Sequence, residues 1–371
     1  MCISCVKFSD MSSCSVALDV RCTLGESPVW HASDGVLYFI DIKQGLVHAF
    51  TPSTGAHRVI ENPGGGEIGA LCPIGSTTEL LICRTEDVVK LDTAHGTVST
   101  VATVPPAHRN PAMRFNDGKA SPQGVLITGY MHADWRNGHA GRLYALQDGQ
   151  LTDVLDNVGL PNGMAWHGTS AMYFVDSAAG TITEYQCDTL GVPIRDQVGM
   201  MRVTYVHSSS ALWQLPCYCM HCLQWSHTES HARQNQAQQV VCIPKEEGVP
   251  DGMTVDDQGR LWVALGEAGA VACYEPTTGA QVGVHAVAHV DEQVHNKPFV
   301  AQVAKVPLLC KRPTACTFGG DDLGILYVTT REETGADASP HHGALLAVQM
   351  AGVRGAAAAA VVQQGMLARG A

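Results

Sequence analysis

Charge is scarce in this chain: Asp, Glu, Lys and Arg make up only 16% of its 371 residues. What there is leans acidic, with 23 Lys and Arg against 35 Asp and Glu and a formal net charge of −12. No basic run occurs, so neither nucleic acid nor an anionic membrane surface is an expected partner. No apolar stretch reaches the roughly 18 residues that a membrane-spanning helix needs, even though apolar residues make up 45% of the chain. Met1–Val20 has a single Lys and lacks the continuous apolar run of about 7–15 residues that marks a secretory signal. Cytoplasmic location is therefore the expectation, and the 14 scattered Cys read as reduced thiols. Several catalytic signatures are missing as well. There is no Gly-x-Ser-x-Gly elbow for an α/β-hydrolase triad, and no P-loop or Gly-x-Gly-x-x-Gly fingerprint for nucleotides. Gly64-Gly65-Gly66 is a flexible turn with no Lys-Ser/Thr behind it.

What is present is repetition. With 38 Gly and 18 Pro, the chain is turn-rich and globular, and long enough for a full core. An apolar, β-branched or aromatic burst recurs between turn residues: Gly35–Asp41, Glu79–Cys83, Gly124–Gly129, Ala171–Asp176, Gly259–Ala264 and Gly324–Thr330. A second strand-like run follows each, at Leu46–Phe50, Val88–Leu91, Arg142–Leu146, Thr181–Tyr185, Ala270–Tyr274 and Ala344–Val348. No long stretch shows helical periodicity. With Tyr38, Leu81, Leu126, Tyr173, Trp262 and Tyr327 as equivalent marks, the spacings are 43, 45, 47, 89 and 65. About 45 residues is the length of a four-stranded propeller blade. The spacing of 89 is long enough to hide a seventh blade, but the intervening sequence lacks a strand–turn–strand unit. The expected fold is thus all-β, a six-bladed β-propeller over residues 20–350 with two loop insertions, about 205–239 and about 285–302. A flexible segment is expected over 1–19, and an Ala/Gly-rich tail, frayed beyond the last blade, over 351–371.

The first insertion carries Cys217, Cys219, His221, Cys222, His227 and His231. Cys219-x-x-Cys222 has zinc-ligand spacing, but a surface loop, or sequence foreign to the fold, explains the stretch more simply.

In a propeller, residues from distant blades meet at one axial channel. Four Gly/Pro-rich segments precede the apolar bursts and carry acidic or amide side chains: Leu24–Trp30 (LGESPVW), Arg114–Lys119 (RFNDGK), Leu160–Trp166 (LPNGMAW) and Val249–Val255 (VPDGMTV). The last two share Pro-[Asn/Asp]-Gly-Met and look like one position in two blades. Glu26, Asn162 and Asp251 supply two carboxylates and an amide oxygen, a set suited to a hard cation such as Ca²⁺ or Mg²⁺. Zinc or manganese is equally compatible with those ligands. Asn-Gly and Asp-Gly are also ordinary turn formers whose side chains cap local backbone. Arg114 beside Asn116 suits a polyhydroxylated substrate, while an Arg114–Asp117 pair closing the blade is the structural alternative.

These four segments, in this order, resemble the senescence marker protein-30/gluconolactonase family, which includes regucalcin. Tyr173–Ser177, Gly259–Leu265 and Arg312–Gly320 extend the likeness from about Val20 to Val348. The resemblance implies one divalent cation (Ca²⁺, Zn²⁺, Mg²⁺ or Mn²⁺) on Glu26, Asn162 and Asp251, with Arg114 and Asn116 against the substrate. Asp134, in His132-Ala-Asp-Trp135, is the nearest counterpart of a further substrate-contacting acid in the family. It implies hydrolysis of a small sugar lactone, with Asp251 as proton acceptor, by a monomer or weak homodimer. Two other readings use the same oxygen ligands: a calcium-binding regulatory protein without turnover, and a related propeller esterase or organophosphatase.

Overall fold

The computed structural model describes residues 13–137, 141–194, 237–276, 301–336 and 338–362. Its first strand, β1 (Cys14–Leu18), is set apart from the regular order that follows. Blade one is β2 (Gly25–His31), β3 (Val36–Asp41), β4 (Leu46–Thr51) and β5 (Ala56–Glu61). Blade two is β6 (Ala70–Pro73), β7 (Glu79–Cys83), β8 (Asp87–Asp92) and β9 (Thr97–Thr103). Blade three runs through β10 (Met113–Ala120), β11 (Leu126–His132), β12 (Gly141–Gln147) and β13 (Gln150–Val158). Blade four holds β14 (Pro161–His167), β15 (Ala171–Asp176), β16 (Thr181–Gln186) and β17 (Gln238–Cys242). Blade five holds β18 (Val249–Val255), β19 (Leu261–Gly266), β20 (Ala270–Glu275) and β21 (Ala301–Pro307). Blade six combines β22 (Pro313–Gly319), β23 (Ile325–Thr330), β24 (Leu345–Gln349) and, as its outer strand, β1.

The six blades are those expected from the period, and each apolar burst is a blade's second strand. The bursts read as unbroken apolar runs because both faces of these strands are covered by neighbouring blades: Leu37 to Ile40, Leu80 to Cys83 and Leu261 to Leu265 are all buried. The inner strands β2, β6, β10, β14, β18 and β22 touch one another in that order and close the ring, β22 meeting β2.

The segment 1–19 needs correction where it is described. Cys14–Leu18 is a strand, antiparallel to β24 with Cys14 opposite Val348 and Val16 opposite Leu346. Blade six would otherwise end on a bare edge of unpaired backbone groups, which the amino-terminal strand covers. The tail needs the same correction as far as residue 362. Val353 and Val361 are buried, and the backbone between them bonds to several blades. Ala356 N–H donates to Val255 O at 3.1 Å, Val361 N–H to Pro73 O at 2.9 Å and Val362 N–H to Gly124 O at 3.0 Å. Those partners follow or end the inner strands of blades five, two and three, and blades five and two are diametrically opposed. The tail therefore spans the end of the propeller at which the inner strands finish, from blade five to blade two. The two expected insertions fall almost wholly outside the described residues, as do the six Cys and His named as candidate ligands in the first. The chain is described again from residues 237 and 301, where β17 and β21 form.

Blade one sets a buried imidazole, His48, against an exposed one, His57, and the buried ring makes stability acid-sensitive. His48 Nδ1 lies 3.0 Å from His57 Nε2, and the His48 ring stacks on Phe39 at 4.6 Å. Burial, and then His57, pull His48 down to about 4 against the opposing pull of Asp41; burial also lowers His57. Held below its unfolded value near 6.5, His48 gains a proton on unfolding in mild acid. Its contribution is complete above about pH 6.5 and declines as pH falls toward about 4, by up to about 3 kcal/mol. His48→Phe, which keeps an aromatic ring on Phe39, is expected to flatten the urea-unfolding stability over that window. Parallel curves for variant and wild type would refute this titration.

Candidate active site

All four motif segments turn out to be inner strands or to contain them, which places their side chains around the axis. The ladder slips by a residue at the same level in several of them: between Glu26 and Val29, Asn116 and Gly118, Pro161 and Met164, and Pro250 and Met253. Such bulges turn a side chain away from strict alternation. Ser27 and Asp117 sit in the slips with φ of 47° and 54°, a backbone region that non-glycine residues rarely occupy. The Asn-Gly and Asp-Gly dipeptides are therefore bulged strand, and the turn-capping reading is set aside. Their glycines answer to close packing between strands. A Cβ on Gly163 would lie 2.7 Å from Asp251 O, and one on Gly252 would lie 2.3 Å from the Ala315 Cβ.

The aspartates that end two of the bursts secure the entry to these strands. Asp41 accepts the backbone N–H of Thr23 at 2.7 Å and of Leu24 at 3.2 Å, just ahead of Glu26. Asp176 does the same for Gly159 at 2.9 Å and Leu160 at 3.0 Å, just ahead of Asn162.

The side chains converge in a continuous hydrogen-bonded chain across three blades. Arg114 Nη1 donates to Asn116 Oδ1 at 2.9 Å. Asn116 Nδ2 donates to Asn162 Oδ1 at 2.7 Å and to Pro161 O at 2.7 Å. Asn162 Nδ2 donates to Ser177 Oγ at 2.7 Å, and Ser177 in turn to the carbonyl of Pro250, next to Asp251. The amide orientations are fixed by this chain, since reversing either Asn would oppose donor to donor.

Next to that chain lies an excess of buried negative charge. Burial raises Glu26 well above the ordinary carboxylate range, with Asp251 and then Asp117 adding repulsion. Asp251 is raised by burial and then by Asp117, while Arg331, the Gly252 N–H and Arg114 pull the other way. Arg114 is itself lowered by burial against the attraction of Glu67, Glu26 and Asp251. Asp251 Oδ1 is buried without any hydrogen-bond partner, and Glu26 receives a weak bond from the Ser27 N–H at 3.3 Å. An orphaned carboxylate oxygen beside a second buried carboxylate is a costly arrangement, and a divalent cation on oxygen ligands would relieve it. The donor set thus fits a hard cation. Among the described residues no three His, Cys, Asp or Glu side chains cluster as a metal site, so an ion here depends on the Asn162 oxygen besides the two acids.

Comparison with known proteins bears on what this arrangement belongs to. The SMP-30/Gluconolactonase/LRE-like region family matches residues 24–203 and 224–296. The chain belongs to this family. Among its relatives, pentonolactonase XacC of Haloferax volcanii is 29% identical over 322 residues, 84% of this chain and 83% of its own length. A putative sugar lactone lactonase of Bacillus subtilis, YvrE, is 26% identical across 90% of this chain and 93% of its own. The solved structure of regucalcin from Agrobacterium tumefaciens, described as a calcium-binding protein, superposes with a TM-score of 0.70 at 22% identity, over 92% of this chain and 95% of that one.

Within this SMP-30/gluconolactonase frame, Glu26, Arg114, Asn116, Asn162 and Asp251 occupy one site. Asp134 lies in the exposed turn after β11, at the end of blade three where β10 begins. The proposed Arg114–Asp117 pair is not formed. Arg114 Nε lies 3.3 Å from Glu67 instead, while Asp117 Oδ1 accepts the Gly118 N–H at 2.7 Å and the charge of Lys119 counters its burial. Glu67, Ser177 and Arg331 are the residues the sequence reading missed. Ser177 had a signal, since it directly follows the burst-ending Asp176; Glu67 and Arg331 belong to no motif.

Proposed function

We propose that the protein is a metal-dependent sugar lactone hydrolase of the gluconolactonase type. The observation that carries this reading is the Glu26–Asp251 carboxylate pair, with its unsatisfied Asp251 oxygen, directly beside the Arg114 guanidinium and the Asn116 amide oxygen that holds it. A cation buffer needs only the first half of that arrangement. The lactonase names of two relatives support the second half.

Glu26, Asn162 and Asp251 would hold the cation. When bound, it supplies Lewis-acid polarisation of the lactone carbonyl and greater acidity of water. Arg114 and Asn116 orient the ring hydroxyls, with Asp134 at the rim as a third contact, so that the carbonyl carbon faces the attacking water. Asp251 accepts the proton of that water as the new C–O bond forms. The ring C–O bond then breaks, and the proton passes to the departing ring oxygen, leaving an open hydroxy acid. A carboxylate shared with a dication is a weak base, so water acidity supplies part of the activation.

The direct test is gluconolactone hydrolysis by metal-stripped protein with Ca²⁺, Mg²⁺, Mn²⁺ and Zn²⁺ restored in turn, counted only above the protein-free blank. A cation-dependent excess that falls at least about 100-fold in Glu26→Gln is the expected result. Tight cation binding without excess hydrolysis would overturn the lactonase reading in favour of a regulatory calcium binder.

A further inference from the structure

The loop between blades one and two carries an acid that nothing in the motifs announces. Asn62 to Glu67 includes Gly64, Gly65 and Gly66, all with positive φ. Despite its composition the loop is pinned. Asn62 Nδ2 donates to Gly65 O at 2.8 Å, and Arg84 Nη1 donates to Pro63 O at 2.9 Å. Two residues after Glu67, Gly69 N–H donates to Cys83 O at 2.7 Å, and Gly69 O accepts the N–H of Asp117 at 2.9 Å. Gly69 also packs so closely on the motif strand that a Cβ there would lie 2.0 Å from Phe115 O. The loop is thus fastened to β10, the strand that presents Arg114.

Glu67 uses both carboxylate oxygens. Oε2 is 3.3 Å from Arg114 Nε, and Oε1 takes the Lys43 ammonium at 2.6 Å. Arg114 is therefore held on two sides: Nη1 bonds to Asn116 Oδ1 and Phe115 O, and Nε faces Glu67. A long side chain with several rotatable bonds loses much of its freedom under such a double restraint. That loss is then not charged to substrate binding. Glu67 is half-buried at 33% side-chain exposure, whereas Arg114 is at 15%, so the acid lies outside the guanidinium, between it and Lys43 at the rim.

We infer that Glu67 is a positioning residue that fixes the Arg114 guanidinium over the site in the orientation used to bind substrate hydroxyls. This rests on the lactonase reading for its kinetic consequence, but its structural content stands apart from it. The charge matters as well as the shape. Glutamine retains one hydrogen-bond acceptor but loses the charge-assisted bonds to two cations, whereas aspartate keeps the charge on a shorter arm.

Two measurements on the cation-loaded full chain test it separately. In gluconolactone hydrolysis, Glu67→Gln is expected to raise KM about tenfold with kcat changed less than threefold. Glu67→Asp should restore much of the loss, and Glu67→Gln should add nothing in an Arg114→Ala background. Full additivity with Arg114→Ala, or an unchanged KM, would overturn the assignment. Independently of turnover, phenylglyoxal modification of Arg114, followed by mass spectrometry of its peptide, should be at least fivefold faster in Glu67→Gln than in wild type. An unchanged rate would also overturn it. Wild type without hydrolysis above the blank would refute the lactonase reading instead, and the modification rate would still decide the role of Glu67.

Discussion

Asp251→Asn should abolish turnover and at the same time make the metal-free protein more stable. The two effects share one cause. The Oδ1 of Asp251 is buried and unpaired, and the carboxylate repels Glu26 directly. Removing its charge lowers the cost of burial and the repulsion, which is expected to stabilise the metal-free state by about 1–3 kcal/mol. The same change removes one of three proposed cation ligands and the proton acceptor for water. Hydrolysis should fall by about 10³-fold or more, and the thermal stabilisation that added cation gives to wild type should largely vanish. Thermal unfolding with and without cation, beside turnover above the blank, reads all three. A variant with near-wild-type turnover would remove Asp251 from the proton-transfer role; one destabilised without metal would contradict the charge argument.

Deletion of residues 1–18 is the second large effect. β1 covers the outer edge of β24, and the side chains of Cys14 and Val16 pack on the blade-six core. The pairing also closes the ring, because blade six draws its strands from both ends of the chain. Lost apolar burial together with several backbone bonds is expected to cost on the order of 5 kcal/mol. The uncovered β24 edge should promote self-association. A fall in melting temperature accompanied by oligomers in size-exclusion chromatography is the expected outcome. Val16→Pro, which spoils the ladder while keeping the chain length, should reproduce the fall in milder form. If both proteins melt as wild type does, β1 does not hold the ring closed.

The blade count was legible because a propeller writes the same apolar run once per blade, and burial on both faces of those strands leaves a signal in composition. The closing strand left none. Cys14–Leu18 is five residues of mixed polarity, and its partner lies at the far end of the chain. The tail was misread for a related reason. Alanine and glycine have no periodicity, and what orders Ala356 to Val362 is mainly backbone bonding to three blades, to which side-chain patterns are blind. At the site, the residue types in Pro-Asn-Gly-Met and Pro-Asp-Gly-Met were legible, but their conformation was not. Dipeptides that usually make turns are bulged here within inner strands. The partner of Arg114 was missed because the nearest acid in sequence, Asp117, sits where the bulge turns the backbone. The actual partner, Glu67, arrives from the loop between blades one and two, where no motif marks it.

The tail that spans the far end of the propeller also bears on traffic. Chain laid over the far end would leave the proposed site a single mouth for arrival and departure. On the lactonase reading, an open hydroxy acid would have to leave by that mouth before the next lactone could enter. Accumulated acid should then hold up the incoming lactone by occupying the same berth, and more lactone should displace it.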